Sequence, residues 1–154
     1  MYNVESRVQD KLGNTLVEPM VMTVQLAVNG TLMRGLELNK NLLAVGAHFI
    51  REAQTTADYR LWTISDRHPA MMRVQTGGAK LALELWELPA EAIATVLQQE
   101  PAGLCIGRIA LDNGESTLGV LGESWLCETG TEITAYGGWR AYIASKESGS
   151  ATTI

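Results

Sequence analysis

One turn organises this sequence, and it reads Val28-Asn29-Gly30-Thr31-Leu32-Met33-Arg34-Gly35-Leu36-Glu37-Leu38-Asn39. Residues 22–28 before it are rich in Val and Leu and carry no charge, which predicts a buried strand. Asn39 belongs to a residue type favoured at helix N-caps, and the apolar Leu42, Leu43 and Val45 follow it. The sequence therefore predicts a strand, a loop bracketed by glycines, and a short helix.

The loop between this strand and this helix allows two interpretations. Its backbone N–H groups can converge on one point, and the helix N-terminus behind it adds partial positive charge. A small anionic group is the expected guest. In the alternative interpretation, Gly30 and Gly35 only permit a tight turn with positive φ. The loop is not a P-loop, because no Lys-Ser or Lys-Thr pair follows Gly35.

Composition limits the class of protein. The chain has 154 residues, enough for one domain with its own core, and 46% hydrophobic with 19% charged residues is ordinary for a globular protein. Its net charge is −5 and its basic residues are scattered, so we expect no nucleic-acid partner. No apolar run is long enough to span a bilayer and no leader opens the chain, so we expect a cytoplasmic protein without membrane contact.

The cysteines and histidines are too dispersed to predict a metal site. Cys105 and Cys127 lie in different segments, and His48 and His68 are also far apart. We therefore expect neither a metal nor a cofactor, and two reduced, buried thiols. A Cys–His nucleophile pair stays open, because residues distant in sequence can be neighbours in the fold.

The remaining pattern predicts many short strands with a few helices, which defines an α+β fold. The N-terminal Val4, Val8 and Leu12 recur every four residues and predict a short helix with an apolar stripe, able to dock on a second subunit; a frayed terminus is the alternative. We expect an N-terminal extension over residues 1–21, the domain over 22–145 and a disordered tail over 146–154. The strands are expected at 47–56, 59–64, 71–75, 80–88, 106–111, 116–121 and 125–127, with a loop at 65–69, a helix starting at Pro89 and helical spacing within 133–145.

Residues 29–35 resemble the Tyr-Gly-Thr-Leu-x-x-Gly loop of the gamma-glutamylcyclotransferase-like superfamily, with Asn29 in place of the tyrosine. Further segments resemble one branch of it, the allophanate hydrolase C-terminal domain. They are Gly35-Leu36-Glu37-Leu38-Asn39, Tyr59-Arg60-Leu61-Trp62, Glu84-Leu85-Trp86-Glu87-Leu88-Pro89, Ile106-Gly107 and Ile133-Thr134-Ala135-Tyr136-Gly137-Gly138-Trp139-Arg140-Ala141-Tyr142. The resemblance covers residues 22–145 and implies a small mixed β-barrel with peripheral helices. Leu32 stands where that branch carries a histidine implicated in its reaction.

Glu84 is the acidic residue that tells most about chemistry. It lies among apolar residues in the middle of a predicted strand, so a position on the inner face of a barrel would desolvate it and raise its pKa. A raised pKa suits a general acid or base. Its position also matches the catalytic glutamate of the resembling superfamily. The alternative is a solvent-facing or ion-paired residue; Glu87, of opposite parity, is expected to face outward.

The resemblance and the loop together suggest a set of binding residues. The predicted substrate-binding residues are Asn29, Gly30, Thr31, Leu32, Met33, Arg34, Tyr59 and Arg140. An arginine such as Arg140 can hold a substrate carboxylate through two parallel hydrogen bonds, or it can anchor the C-terminal segment to the domain. Both interpretations of Arg140 are kept.

The resemblance implies a stand-alone enzyme of urea or amide degradation, and hence of nitrogen metabolism. Its substrate would be a small carboxylated amide or carbamate, and the reaction the decarboxylation of an N-carboxycarbamate-like product of a separate amidase. One alternative is a gamma-glutamylcyclotransferase-type reaction, in which Glu84 takes a proton from a substrate amine. The other is a non-catalytic module that binds or assembles an amidase. The N-terminal stripe also predicts a homodimer.

Overall fold

The computed structural model describes residues 4–150, and within them the chain forms ten strands and four α-helices. The strands are β1 (Val4–Gln9), β2 (Thr15–Met20), β3 (Thr23–Val28), β4 (His48–Gln54), β5 (Tyr59–Ile64), β6 (His68–Arg73), β7 (Ala82–Pro89), β8 (Leu104–Ala110), β9 (Ser116–Gly122) and β10 (Thr131–Glu132). The helices are α1 (Asn39–Ala44), α2 (Ala92–Gln98), α3 (Ser124–Thr129) and α4 (Trp139–Ser150), with a 3-10 turn at Thr134–Tyr136. None of the helices in this part of the chain is long and apolar enough to cross a membrane.

The largest sheet has five strands in the order β4-β7-β3-β9-β8. Strand β3 runs antiparallel to β7 and parallel to β9, and its last residue, Val28, lies opposite Glu84. The edge strands β4 and β8 approach each other only where Thr55 bridges Leu111, just beyond their ends. The α+β prediction is therefore confirmed. The strands of the described residues form a curved sheet rather than the closed barrel that we expected, because the two edges meet at a single bridge.

A second sheet, β10-β5-β6, covers the first and shares its core. Leu26 and Leu85 of the large sheet and Leu61 and Met71 of the second are all excluded from solvent. Burying aliphatic side chains of this size stabilises a fold by about 1.5–3 kcal/mol each. Strand β7 lies between β4 and β3, and its side chains at 83–86, which point to both faces of the sheet, are all buried. Any polar residue there needs partners.

The N-terminal segment is a hairpin of β1 and β2, and the helix predicted there is wrong. Asp10 Oδ1 accepts the N–H groups of Leu12 and Asn14, and Gly13 has a φ of +84°, so the chain reverses at residues 10–14. Leu12 lies in this turn and is 88% exposed. A spacing of four residues fits one helix face, but as an even number it also fits one face of a strand.

Four other predicted elements differ from those in the structure. Residues 125–127 belong to α3, where Leu126 and Cys127 are buried beside the exposed Trp125. Strand β6 begins at His68, within the predicted loop, and Pro89 ends β7 instead of starting a helix. Helix α4 includes residues 146–150 of the predicted tail, because Asp66 binds both Tyr142 Oη and Lys146 Nζ of that helix; residues 151–154 lie outside the described residues.

The loop after β3 touches the start of β6 so closely that only glycine fits at position 30. A Cβ atom on Gly30 would lie 2.5 Å from Pro69 Cδ. We expect Gly30→Ala to lower the free energy of unfolding by about 1–3 kcal/mol, measured by urea denaturation, because the overpacked loop or Pro69 must move. Gly149→Ala is the control, since its Cβ would meet nothing within 4 Å. Equal stability of the two variants would contradict this close approach.

Candidate functional site

The loop of residues 29–38 is held in shape by its own hydrogen bonds. The Met33 N–H donates to Gly30 O at 3.0 Å, and the Leu38 N–H donates to Thr31 O at 3.0 Å. Asn39 is the first residue of α1 rather than its N-cap, and its side chain donates to Leu32 O at 2.8 Å. Asn29 donates from its side chain to Val120 O at 2.9 Å, which ties the loop to β9. Asn29 and Asn39 therefore fix the loop in place.

Glu84 faces inward, as its position in the strand predicted, and only 2% of it is exposed. Its Oε1 accepts the backbone N–H of Arg34 at 2.8 Å and the Trp86 Nε1–H at 3.2 Å. Its Oε2 accepts Arg34 Nε–H at 3.1 Å and Arg140 Nη2–H at 3.1 Å. Four donors from three residues thus surround one buried carboxylate, and two of these residues carry positive charge.

The pKa of Glu84 is lowered, and our expectation of a raised pKa was wrong. Burial alone raises this pKa, as expected, but the hydrogen bonds from the Arg34 N–H, the Arg140 and Arg34 side chains and Trp86 together outweigh it. Glu84 is therefore a carboxylate at neutral pH. The sequence shows only its apolar strand neighbours, whereas the arginines come from 50 and 56 positions away in the chain.

Arg34 joins two acidic residues on neighbouring strands. Glu52 and Glu84 lie opposite each other in the β4–β7 pairing, and Arg34 donates to both, with Nη2 2.9 Å from Glu52 Oε1. Its guanidinium also stacks 3.7 Å from the centre of the Phe49 ring, which is a cation–π contact. Arg34 therefore offsets the repulsion between two like charges on adjacent strands.

Arg140 reaches the same carboxylate from the first turn of α4. Its Nη2 donates to Glu84 Oε2 and to Arg34 O, the latter at 2.6 Å, whereas its Nε and Nη1 donate to no group in residues 4–150. The side chains of Arg34 and Arg140 are 44% and 47% exposed, so both cations reach solvent while the anion between them does not. Arg140 therefore anchors α4 and still has free N–H donors.

A cavity of about 530 Å³ opens beside this ion cluster. Its walls come from β4, β7, the loop after β3, the β8–β9 turn, the 3-10 turn and the N-terminal end of α4. They include Met33, Arg51, Glu52, Glu84, Asp112, Tyr136, Trp139 and Arg140. A few polar and charged groups in a recess of this volume are typical of a small-molecule site. Of the predicted binding residues, the structure brings Met33 and Arg140 to this cavity, next to Glu84.

The other predicted binding residues lie elsewhere. Residues 29–32 line a separate recess together with His68, Pro69 and Glu100, and Leu32 is buried there. Tyr59 has no exposed surface, and its hydroxyl accepts the Ala110 N–H at 3.0 Å, so it holds β5 to β8 and does not reach the cavity. Arg34 takes part through its contacts with Glu84 rather than as part of the cavity wall.

Trp86 is a site residue that was absent from the binding residues predicted from the sequence. It lies two residues after Glu84 in β7 and therefore on the same face of the strand, where its indole donates to the carboxylate. Its position two residues after Glu84 in a predicted strand was the sequence signal that could have identified Trp86 as a site residue. Glu52 and Phe49 could not be found in this way, because their place beside Arg34 depends on the register between β4 and β7.

The thiols show no sign of being nucleophiles. Burial raises the pKa of Cys127 to about 11 and also raises that of Cys105, so both are protonated at neutral pH. His68 Nδ1 lies 3.0 Å from Pro69 O, and neither cysteine has a hydrogen bond to a histidine among the described residues. The same part of the chain contains no group of three His, Cys, Asp or Glu residues placed to hold a metal ion.

The two packed sheets, the loop after β3 and the buried glutamate of β7 define an α+β domain with a cavity beside a buried ion cluster. Comparison with known proteins gives its family. The sequence model of the allophanate hydrolase C-terminal domain matches residues 24–144, and the chain belongs to that family.

Three relatives illustrate this membership. A uropathogenic E. coli-specific protein of known structure is 54% identical, covers 80% of this chain and 97% of its own, and superposes with a TM-score of 0.79. Allophanate hydrolase from Kluyveromyces lactis is 27% identical with a TM-score of 0.76, over 80% of this chain and 21% of that one. Urea amidolyase from Saccharomyces cerevisiae is 32% identical over 133 residues, which are 79% of this chain; the matched region spans only 7% of the length of that relative.

Proposed function

We propose that the cavity beside Glu84 and Arg140 binds a small carboxylated amide or carbamate, and that the chain promotes the loss of CO2 from an N-carboxycarbamate-like product of a separate amidase. The observation that carries this proposal is the half-exposed Arg140 guanidinium, whose Nε and Nη1 have no acceptor among residues 4–150, beside a buried carboxylate at the cavity wall. The family membership supports this substrate class. The relatives named allophanate hydrolase and urea amidolyase support the association with a separate amidase.

Arg140 holds one substrate carboxylate in this proposal. A guanidinium donates two parallel hydrogen bonds through Nη2 together with Nε or Nη1, so the substrate carboxylate takes Nη2 from Glu84 and adds one of the unused donors. This pair fixes the position and the orientation of the substrate. The other carboxylate of the substrate, which is the one that leaves as CO2, points towards the apolar wall formed by Met33 and Trp139. A carboxylate that loses water contacts there is destabilised relative to neutral CO2, which favours its departure.

The reaction itself breaks one carbon–nitrogen bond. The electron pair of that bond stays on the nitrogen atom, the departing carboxylate leaves as CO2, and one proton is added to the nitrogen. The products are CO2 and a carbamate that keeps the second carboxylate. The protein must therefore deliver a proton to the nitrogen atom and hold the carboxylate that does not leave.

Glu84 delivers this proton once the substrate has bound. In the structure its pKa is lowered because four donors hold it as an anion. A substrate carboxylate that takes over the Arg140 contact removes one of these donors and brings a second negative charge close to Glu84. Both changes raise the pKa of Glu84, since Glu84 stays buried while fewer hydrogen bonds and less positive charge stabilise its anion. Glu84 then takes up a proton and can pass it to the substrate nitrogen.

A cyclotransferase-type reaction is the second candidate, and the ionised state of Glu84 favours it. A carboxylate is ready to take a proton from a substrate amine that attacks its own side-chain amide. Formation of 5-oxoproline from gamma-glutamyl dipeptides decides between the two reactions. Production of 5-oxoproline without any effect on CO2 release would replace the decarboxylase proposal.

The N-terminal hairpin is the surface through which we propose that two copies of the chain associate. Within the described residues 4–150, strands β1 and β2 pair only with each other, and a two-stranded sheet alone is marginally stable in water. Val8, Leu12 and Leu16 of this hairpin, and Val21 and Met22 after it, are exposed. A second copy of the chain that covers these side chains would bury their apolar surface.

The cytoplasmic location that we expect from the sequence stays a prediction.

Removal of residues 1–21 is expected to convert a dimer into a monomer, because it deletes most of this exposed apolar surface. Multi-angle light scattering on the full chain and on the truncated chain measures the change in mass. A second pair of measurements on Leu12→Ser and on Lys11→Ser separates apolar contact from charge. A full chain that is monomeric at high concentration contradicts the dimer, and a hairpin that binds only an amidase would favour the non-catalytic assembly role.

A further inference from the structure

A groove on another part of the surface shares no wall residue with the cavity beside Glu84. It has a volume of about 820 Å³ and lies between the loop after β3, the β5–β6 turn and the residues that follow α2. Thr31, His68 and Glu100 line both this groove and a niche of about 10 Å³ below it. A volume of that size accommodates about one water-sized atom. The niche can therefore receive a single oxygen atom of a ligand that lies in the groove.

Glu100 has a buried polar atom that the protein leaves unpaired. Its Oε1 is excluded from solvent and has no hydrogen-bond partner in the described part of the chain. Leaving a buried polar atom unpaired costs about 1–3 kcal/mol, so such an atom on a residue that lines the niche calls for an explanation. Burial also raises the pKa of Glu100 to about 7. Near neutral pH a large fraction of Glu100 is thus a carboxylic acid with a hydrogen to donate.

The loop supplies further donors to the same niche. The N–H groups of Gly30, Thr31 and Leu32 form no hydrogen bond within residues 4–150, whereas those of Met33 and Arg34 are used by Gly30 O and Glu84. Gly30 and Leu32 line the niche, and Thr31 lines both the niche and the groove. Consecutive N–H groups around a recess favour an anionic oxygen.

The charged groups around Glu100 come from two other segments. The loop contributes Glu37, and the β5–β6 turn contributes Asp66, Arg67 and His68. Asp66 is occupied by Tyr142 and Lys146, whereas Arg67 has no ion pair among the described residues. Strands β8 and β9 add only the apolar Leu104 and Val120. An unpaired cation at the rim and donors at the base suit a ligand with one negative charge.

We propose that this groove is a second ligand site, which takes a small carboxylate with one oxygen in the niche, held by the N–H groups of Gly30, Thr31 and Leu32 and by protonated Glu100. Binding at this site takes up a proton, because a carboxylate ligand is compatible with Glu100 only when Glu100 carries its hydrogen. The proposal does not depend on the reaction at Glu84, since the two recesses share no wall residue.

Calorimetric titration with acetate between pH 6 and pH 8, in two buffers of different ionisation enthalpy, tests the proposal. One proton taken up per ligand makes binding about tenfold weaker for each pH unit above the pKa of Glu100. Glu100→Gln keeps a donor without a titrating group, so it is expected to bind acetate with little pH dependence and no proton uptake. Circular dichroism confirms that the variant is folded.

Three matched variants make the test specific. Glu37→Gln changes a carboxylate of the same groove, His68→Gln removes the neighbouring imidazole, and Glu84→Gln changes the other cavity. All three are expected to keep the proton uptake of the wild type. Absence of acetate binding at pH 6 would overturn the proposal. Proton uptake that survives in Glu100→Gln, or that disappears in His68→Gln or Glu84→Gln, would also overturn it.

Discussion

Replacement of Glu84 by Gln is expected to lower kcat by ~10²–10⁴-fold, the usual contribution of a positioned general acid or base. Glutamine keeps the length and the acceptor oxygen of the side chain, but it cannot take up and deliver a proton. Glu87→Gln is the matched control, because Glu87 lies in the same strand, faces the opposite side and is exposed. Steady-state kinetics on both variants measure the effect. Full activity in Glu84→Gln would remove Glu84 from the reaction and favour the non-catalytic role.

The same substitution tests the ion cluster without any substrate. Because the folded-state pKa of Glu84 lies below its ordinary value of 4.5, its ionisation stabilises the fold above about pH 4.5. This contribution is lost as the pH falls through the lower folded-state pKa. We expect Glu84→Gln to lower the free energy of unfolding at pH 7 by about 1–3 kcal/mol, the cost of charge-assisted hydrogen bonds lost at a buried site. The difference between variant and wild type should shrink in acid; a constant difference contradicts the assignment.

Replacement of Arg140 by Lys is expected to raise KM by about 10–100-fold. A lysine keeps the charge but loses the planar pair of donors, and charge-assisted hydrogen bonds contribute about 1.5–3 kcal/mol. The variant also takes one donor from Glu84, so the pKa of Glu84 should rise. The basic limb of the pH–activity profile, where Glu84 loses the proton that it must deliver, should therefore move to higher pH.

Arg51→Lys is the control for Arg140→Lys. Arg51 lines the same cavity, but its side chain donates to Glu52 O and lies 3.9 Å from Glu115, away from Glu84. It is expected to change KM little and to leave the pH profile in place. Equal effects of the two substitutions would show that only the total charge of the cavity matters, and Arg140 would lose its assigned role.

Local patterns predicted those parts of the structure that depend on neighbouring residues. Strand β5 lies at 59–64 as expected, since its alternation of side chains is regular, and the strand before the loop ends at Val28 as expected. The inward position of Glu84 followed from its place in an apolar strand. These features can be predicted from the spacing of apolar residues and from the residue types nearby in the sequence.

The errors arise where distant segments decide the outcome. The lowered pKa of Glu84 depends on Arg34 and Arg140. One precedes β7 in the sequence and the other follows it, and only the fold brings them together. The N-terminal hairpin replaced a helix because a spacing of four fits both periods, and only the turn at Asp10 and Gly13 decides. The sequence could not show that residues 29–32 and Met33 line two different recesses. Glu100 and His68, which line the recess of residues 29–32, are distant from the loop in sequence and approach it only in the folded chain.

The most direct test of the proposed reaction follows CO2 and ammonia together. Allophanate is supplied with an amidase that cleaves it and that lacks a domain of this family, with and without the present chain. We predict that release of the first equivalent of ammonia, which the amidase itself produces, is unchanged and that CO2 release is faster when the chain is present. Glu84→Gln is expected to abolish the acceleration, whereas Glu87→Gln keeps it. A CO2 time course that is identical with and without the wild-type chain would contradict the proposed decarboxylation.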